Sequence, residues 1–434
     1  MSDLSMGAYG AATTENNVKK VVFASLIGST IEWYDFFLYG VVAGIVFNKL
    51  YFPSDHETVS ILMAYATFAV GFVARPFGGL VFGHFGDRIG RKTMLVITLL
   101  MMGGATVAIG LLPTYESIGI AAPILLLLLR ILQGIGIGGE WGGAVLMAYE
   151  FAPKDKRGFY ASIPQIGLSL GLFMASGVMA LLTMLPDEAF MTWGWRAAFV
   201  ASIILVGLGT WIRSNIGESP EFEKAKAESR ARDQGLPFVD MLKRYPANVT
   251  LGMGARYIDG VFFNIFAVFS ILYLTKYVGL ERSFALWTVC AAAVVMVVFI
   301  PFFGRLSDKV GRPRTYATGS ILLALSVFPA FALMSSGNPV LIVLGIVLPF
   351  GIIYPICYGP EAALFADLFD PSVRYTGVSF VYQFSGIFAS GITPMIATWL
   401  MASNGNDPFW LCCYVVFAGL VSAVCAILIG RRNR

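Results

Sequence analysis

The sequence predicts an all-α membrane protein of twelve transmembrane helices, built as two pseudo-symmetric six-helix bundles. Three observations predict it. The 434 residues are 57% apolar and only 13% charged, with a mean hydropathy of +0.75, far from the balance of a water-soluble domain. Twelve apolar runs are each long enough to cross a hydrocarbon layer roughly 30 Å thick, which takes about 20 helical residues. A short polar motif between runs occurs twice, half a chain apart.

The runs begin near Val21, Thr58, Thr93, Gly119, Phe159, Arg196, Val249, Phe284, Tyr316, Val340, Tyr375 and Phe409. Pro, Gly, Asp and Asn mark the turns between them, and no long stretch alternates with period two. Helices are therefore expected and a transmembrane barrel is not. The first run continues into the second without a small-residue cleavage site, so it is expected to be a retained helix and not a removed signal.

The repeated motif is "GHFGDRIGRK", from Gly83 to Lys92 after the second run, and "GRLSDKVGRPR", from Gly304 to Arg314 after the eighth. Aligned as G-x-x-x-D-[RK]-x-G-R, Gly83, Asp87, Arg88, Gly90 and Arg91 match Gly304, Asp308, Lys309, Gly311 and Arg312. The offset, 308 − 87 = 221 residues, maps the first six runs onto the last six. Residues 1–213 are then an N-terminal bundle, 248–434 a C-terminal bundle, and 214–247 a linker. In the linker, Ser219 and Pro220 fit the cap and first position of a surface helix. "PFVDMLKRY" sets Phe238, Met241, Leu242 and Tyr245 at helical spacing, as a second helix lying on the bundle would require.

Lys and Arg fill alternate connections: Lys19 and Lys20, then the first motif, Lys154, Lys156 and Arg157, the linker, the second motif, and Arg431, Arg432 and Arg434. The intervening ones keep little beyond Lys49, Arg196, Lys276 and Arg282. Positive charge stays inside, so both termini are expected on the cytoplasmic side of a membrane that the chain crosses many times. The net charge of +4 follows from that asymmetry and gives no reason to expect nucleic acid as a partner. The five cysteines, Cys290, Cys357, Cys412, Cys413 and Cys425, fall within predicted spans, lack metal-ligand spacing and are expected as core residues. With histidine only at His56 and His84, neither a metal centre nor a Ser-His-Asp triad can be assembled, and no enzyme, metal or cofactor is expected.

The stretch "IEWYDFFLYG" sets Glu32 and Asp35 on one face of the first helix, about 18–22 Å from its cytoplasmic end. An ionisable group at that depth costs on the order of 3 kcal/mol or more unless it faces the bundle interior and finds partners. Arg75, Arg130 and Arg256 lie at comparable depth, and Asp259 follows Arg256 by one turn. The pair Glu32 and Asp35 thus has a near-equivalent, Arg256 and Asp259, in the other half. Helix-register pairing alone would explain any one of these residues. It explains the set less well, because apolar packing there is often no less stable than a buried ion pair. Proton coupling is the alternative: desolvation favours a neutral carboxyl, a neighbouring guanidinium favours a charged one, and motion between the two moves a proton.

The repeated loop resembles the signature loop of the major facilitator superfamily. Together with "EWYDFFLYG", "ARPFGGLVFGHFGDRIGRK", "RILQGIGIGGEWGGA" and "ESPEF", it resembles the metabolite:proton symporters of that superfamily, the branch with shikimate, oxoglutarate, citrate and proline/betaine carriers. The resemblance implies a carrier for a small carboxylate and protons in a lipid bilayer, expected as a monomer. In the superfamily's proton-coupled sugar carriers an aspartate of helix one pairs with an arginine of helix four in an R-x-x-x-G-x-G-x-G context. By that resemblance Asp35 is the proton site, Arg130 its partner and Glu32 the reserve. The two motif copies would act as a cytoplasmic gate latch, with Asp87 and Asp308 favoured by the dipoles of the third and ninth helices.

Arg75 and Arg256 remain as anchors for a substrate carboxylate, with Asp259 beside Arg256. Helical spacing places Tyr34, Tyr39, Gln133, Trp141, Gln165, Ser169, Tyr257, Asn264, Tyr382 and Gln383 around them, each also readable as packing. Gly134, Gly136 and Gly139 spell a dinucleotide fingerprint, but inside a span they are expected to let helices four and five approach. A proton-coupled importer of a small organic acid is the function expected. The alternatives are symport of a zwitterion such as proline or betaine, proton-driven efflux, and a transport-dead receptor. Drug antiporters carry G-x-x-x-G-P-x-x-G-G on helix five, which "SIPQIGLSLGLFMASG" lacks, and osmosensing relatives carry a long C-terminal extension beyond the point where this chain ends at "GRRNR".

Overall fold

A computed structural model describes residues 22–23, 25–89, 91–138, 141–215, 237–371 and 373–432, with backbone alone at 80, 83–89, 91–95, 141, 143–144, 147, 151, 212–215 and 237–240. Twelve helices dominate, and no strand occurs among the described residues. They are α1 (Ser25–Leu50), α2 (Glu57–Ile89), α3 (Arg91–Leu111), α4 (Ala121–Gly138), α5 (Arg157–Leu182) and α6 (Asp187–Trp211). The second half repeats the series as α7 (Pro246–Tyr277), α8 (Arg282–Val310), α9 (Arg312–Met334), α10 (Pro339–Ala366), α11 (Arg374–Ser403) and α12 (Phe409–Arg432). Eleven are long and apolar enough to span a membrane, and the apolar part of α3, Val96–Leu111, is shorter.

The sixth helix starts earlier than the Arg196 expected from hydropathy. Asp187 and Glu188 occupy its first turn, where the helix dipole favours acids, and a π turn at Phe190–Gly194 follows. Arg196 donates to the carbonyls of Gly110 (2.9 Å) and Leu112 (2.7 Å), acceptors that the C-terminus of α3 leaves open. The halves also repeat in detail. A π turn at Ala43–Phe47 in α1 recurs at Ile265–Phe269 in α7, 222 residues on.

Among the α4 glycines, Gly134 and Gly138 pack against α2, not α5 as the sequence suggested, while Gly136 faces Thr98 and Met102 of α3 and Gly139 lies outside the described residues. A Cβ on Gly138 would lie 1.9 Å from the Arg75 carbonyl oxygen, so only a glycine lets the two backbones touch. The partner is α2 because it supplies the complementary small residues, Gly71 and Gly78.

The two halves are in contact at both ends. At the motif-loop end, Asp308 in the last turn of α8 accepts from the backbone N–H groups of Gly158 (2.7 Å) and Phe159 (3.0 Å) at the start of α5. The dipole it meets is therefore that of α5 in the opposite half, and not that of α9. Arg312 pairs with Asp308 (3.2 Å) and with Asp367, while Tyr149 donates to Asp367 (2.5 Å) and Arg374 meets Glu150 (3.3 Å). The side chains of Asp87, Arg88 and Arg91, and all of Gly90, lie outside the described residues, so the first motif copy is seen only as helical backbone from Gly83. At the other end Lys276 reaches Glu57 (3.0 Å) and Arg282 reaches Asp187 (3.1 Å). In the linker, Pro237–Arg244 is helical, with Met241 buried. The helix expected from Ser219 lies outside the described residues.

Candidate functional site

Glu32 and Asp35 are both buried on α1, Asp35 completely. The oxygens of Asp35 accept no hydrogen bond. Its polar neighbours are Thr106 of α3, Ser202 of α6 and Glu32 one turn back. The direct pair with Arg130 that the resemblance implied is not formed. Arg130 instead donates to Gln133 Oε1 (2.6 Å), and Gln133 Nε2 donates to Thr106 Oγ1 (2.7 Å), so two side chains connect the guanidinium to the neighbourhood of Asp35. The physical reason is a competing aromatic cage. Arg130 stands over the rings of Tyr39, Phe36 and Phe68 at 4.2, 4.5 and 5.1 Å, contacts that gain strength away from water. Arg75 is held likewise over Phe36 (4.1 Å) and Phe72 (4.3 Å), its Nε and Nη2 without hydrogen bonds.

In the C-terminal half the helix itself positions the charge. The hydrogen-bond ladder of α7 breaks at Arg256, between the segments Pro246–Ala255 and Tyr257–Asn264. Ser422 of α12 fills the gap: its hydroxyl donates to Gly254 O (3.0 Å) and accepts from Ile258 N (2.8 Å). Such re-satisfaction by a neighbouring serine is what lets a membrane helix break. Arg256 at the break lies flat on Tyr382, 3.7 Å from its ring centre, and donates to Ser385 Oγ (3.3 Å). Asp259 Oδ2 and Glu361 Oε1 approach its Nε at 3.7 and 3.5 Å, and Tyr354 donates to Asp259 Oδ1 (2.5 Å).

Glu361, fully buried on α10, is absent from the sequence candidates. The repeat could have found it: 221 residues earlier stands Glu140, in "GGEWGG", itself outside the described residues. With Glu361 the buried charged set among the described residues holds four acids, Glu32, Asp35, Asp259 and Glu361, against Arg75, Arg130 and Arg256. Fully ionised, the set carries one excess negative charge that a single proton cancels.

Between the halves lies a small cavity of about 10 Å³, room for roughly one water. Trp33, Phe36, Phe37 and Phe72 wall it from the N-terminal half, and Arg256, Asp259, Asn264, Tyr354 and Tyr382 from the C-terminal half. Aromatic and charged side chains from both halves thus meet at this centre. Tyr39 and Gln133 serve the Arg130 cage, away from the cavity wall. Tyr34 donates to Ala198 O (3.0 Å) and packs α1 on α6, a correction to its expected place at the cavity. Tyr257 is corrected too, since it packs against Phe388, Tyr414 and Phe417 beside α12. Gln165 and Gln383 bridge the halves, donating to Gly359 O (3.3 Å) and Gly138 O (3.2 Å). Ser169 is buried on α5, and the side chain of Trp141 lies outside the described residues.

Residues 20–237 match the family described as Sugar (and other) transporter, and residues 249–434 match the Major Facilitator Superfamily. The chain belongs to the major facilitator superfamily. It is a multi-pass membrane transporter and not an enzyme, and its relatives are metabolite, shikimate and proline/betaine transporters. The inner membrane metabolite transport protein YhjE of Escherichia coli K12 is 43% identical over 91% of this chain and 90% of its own length. The shikimate transporter of the same organism is 37% identical over 96% of both chains. Its proline/betaine transporter is 31% identical over 94% of this chain and 83% of its own. Among solved structures, a D-xylose-proton symporter superposes with a TM-score of 0.73 at 18% identity, covering 95% of this chain and 97% of that one, which shows a shared fold.

Proposed function

We propose that this chain imports a small carboxylate-bearing metabolite together with protons by alternating access. The observation that carries the reading is Arg256. It is a buried guanidinium at a helix break, lining a cavity walled by both halves. A guanidinium that exchanges its present partners for a substrate can grip a carboxylate at two points, and Arg75 adds a second cation nearby. Asp35 serves as the coupling proton site in the N-terminal half, linked through Thr106 and Gln133 to Arg130, with Glu32 in reserve. The two bundles, residues 1–213 and 248–434, rock as units about the 214–247 linker. The motif loops form the cytoplasmic gate, with both termini on that side of the bacterial inner membrane, and the working unit is a monomer.

The test is uptake into proteoliposomes of radiolabelled shikimate, oxoglutarate, citrate, proline and betaine, with and without an inward proton gradient. An acid should accumulate only with the gradient, and Asp35→Asn should retain exchange while losing accumulation. Accumulation that survives in Asp35→Asn moves the proton elsewhere. Uptake of zwitterions alone would favour the second reading, proline or betaine symport. That reading draws support from Asp259 and Arg256 standing together in the cavity wall, a match for a molecule with both charges.

A further inference from the structure

Glu361 has no part in the mechanism so far. It is 0% exposed, and neither of its oxygens accepts a hydrogen bond. Its contact is with the Nε of Arg256 at 3.5 Å. Asp259 approaches the same Nε at 3.7 Å but also holds the Tyr354 hydroxyl. Two carboxylates thus compete for one N–H, and neither comes within the roughly 2.7–2.9 Å of a good charge-assisted bond. The other titratable groups facing the pair are phenols and a thiol: Tyr316 of α9, Cys357 and Tyr358 of α10, and Tyr382 of α11. Among the described residues they bring no second cation, so two acids share one guanidinium.

Arg256 and Asp259 line the cavity, and Glu361 does not. A carboxylate that enters therefore meets the guanidinium and not its buried partner. A third carboxylate on one guanidinium in so dry a place is costly unless a proton arrives with it. Glu361 can take that proton. Ionised and released from Arg256, it is left without a charged partner, and neither oxygen accepts a hydrogen bond from the phenols around it. Protonated, it becomes a donor itself, with Asp259 as acceptor.

We propose that Glu361 is an internal stand-in for the substrate carboxylate: the substrate takes Arg256 from it, and Glu361 then binds one proton and donates a hydrogen bond to Asp259. This deepens the symport reading above and rests on it. The balance is simple. One carboxylate enters with its negative charge, one proton from solution forms an O–H bond on Glu361, and the net charge of the site is unchanged. Substrate release reverses both. This proton is separate from the one assigned to Asp35 and is taken up at binding, before any conformational change.

The experiment is calorimetric titration of purified protein with shikimate, oxoglutarate and betaine in two buffers of different ionisation enthalpy, which counts the protons taken up per ligand bound. Wild type and Asp35→Asn should each take up about one proton per acid bound near neutral pH, and Glu361→Gln should bind the acid with no proton uptake. Glu361→Asp should restore uptake. The proposal is overturned if wild type takes up none, if Glu361→Gln takes up as many as wild type, or if the loss follows Asp35→Asn instead. Should Glu361→Gln not fold or not bind, the infrared difference spectrum of wild type decides, since acid binding must add a protonated-carboxyl band and its absence overturns the proposal. If none of the probes binds wild type, the transport reading itself fails, which is a different result from acid binding without proton uptake.

Discussion

Arg256 lies flat on Tyr382 with its Nε turned to two acids and Nη1 on Ser385. A lysine there would keep the charge but lose the planar fork and the stacking. Losing one charge-assisted hydrogen bond costs about 1.5–3 kcal/mol, so Arg256→Lys should raise the KM for acid uptake roughly 10- to 100-fold. An unchanged KM in proteoliposomes would remove Arg256 from the substrate. Charges such as this one were legible in the sequence because a lone ion is so costly at mid-membrane that each one marks a site. The aromatic residues were not. Tyr34 and Tyr257 sit at the right depth but turn toward α6 and α12, because a tyrosine is satisfied by any carbonyl or ring it meets. Glu361 stands alone in a hydrophobic span, and only the repeat offset, which pairs it with Glu140, singles it out.

The break in α7 is a property of two helices. Without the Ser422 hydroxyl, Gly254 O and Ile258 N would face each other across the gap, either unsatisfied or re-forming the ordinary helical bond. The first outcome costs about 1–3 kcal/mol for each buried group, and the second straightens α7 and turns Arg256 out of the cavity wall. Ser422→Ala should therefore lower thermal stability or acid affinity, whereas Ser422→Thr, which keeps the hydroxyl, should stay near wild type. Melting temperature and binding titration together separate the two outcomes, and a Ser422→Ala protein unchanged in both would show that the break holds itself. Nothing in α7's own residues announced this break, since the group that stabilises it lies more than 160 positions away. Helix existence, by contrast, followed from local hydropathy. The start of α6 was missed where Asp187 and Glu188, acids suited to a first helical turn, read as loop.

Alternating access requires a seal at each end in turn, and burial indicates which of the two is stronger here. At the motif-loop end the Asp308 side chain is 6% exposed and accepts two backbone hydrogen bonds across the halves, while Arg312, 13% exposed, ties it to Asp367. At the opposite end Glu57 and Asp187 are 64% and 86% exposed. Exposed pairs contribute about 0–1 kcal/mol, whereas each hydrogen bond to a sheltered carboxylate contributes about 1.5–3. The two-half plan behind this comparison was legible from the motif repeat. The cross-half contact of Asp308 with α5 was not, because sequence neighbours pointed to α9 and only the assembled halves bring Gly158 within reach. Asp308→Ala should thus open the motif-loop end, raising amide hydrogen exchange in the first turn of α5 by about tenfold or more, since each 1.4 kcal/mol shifts an equilibrium tenfold. The double variant Glu57→Gln with Asp187→Asn should leave exchange there unchanged and transport within about threefold of wild type, as loosely held surface pairs do. Were the Glu57 and Asp187 double variant the one that disrupts transport while Asp308→Ala leaves α5 protected, the stronger seal would lie at the opposite end, and the molecule would have to open toward the motif loops first.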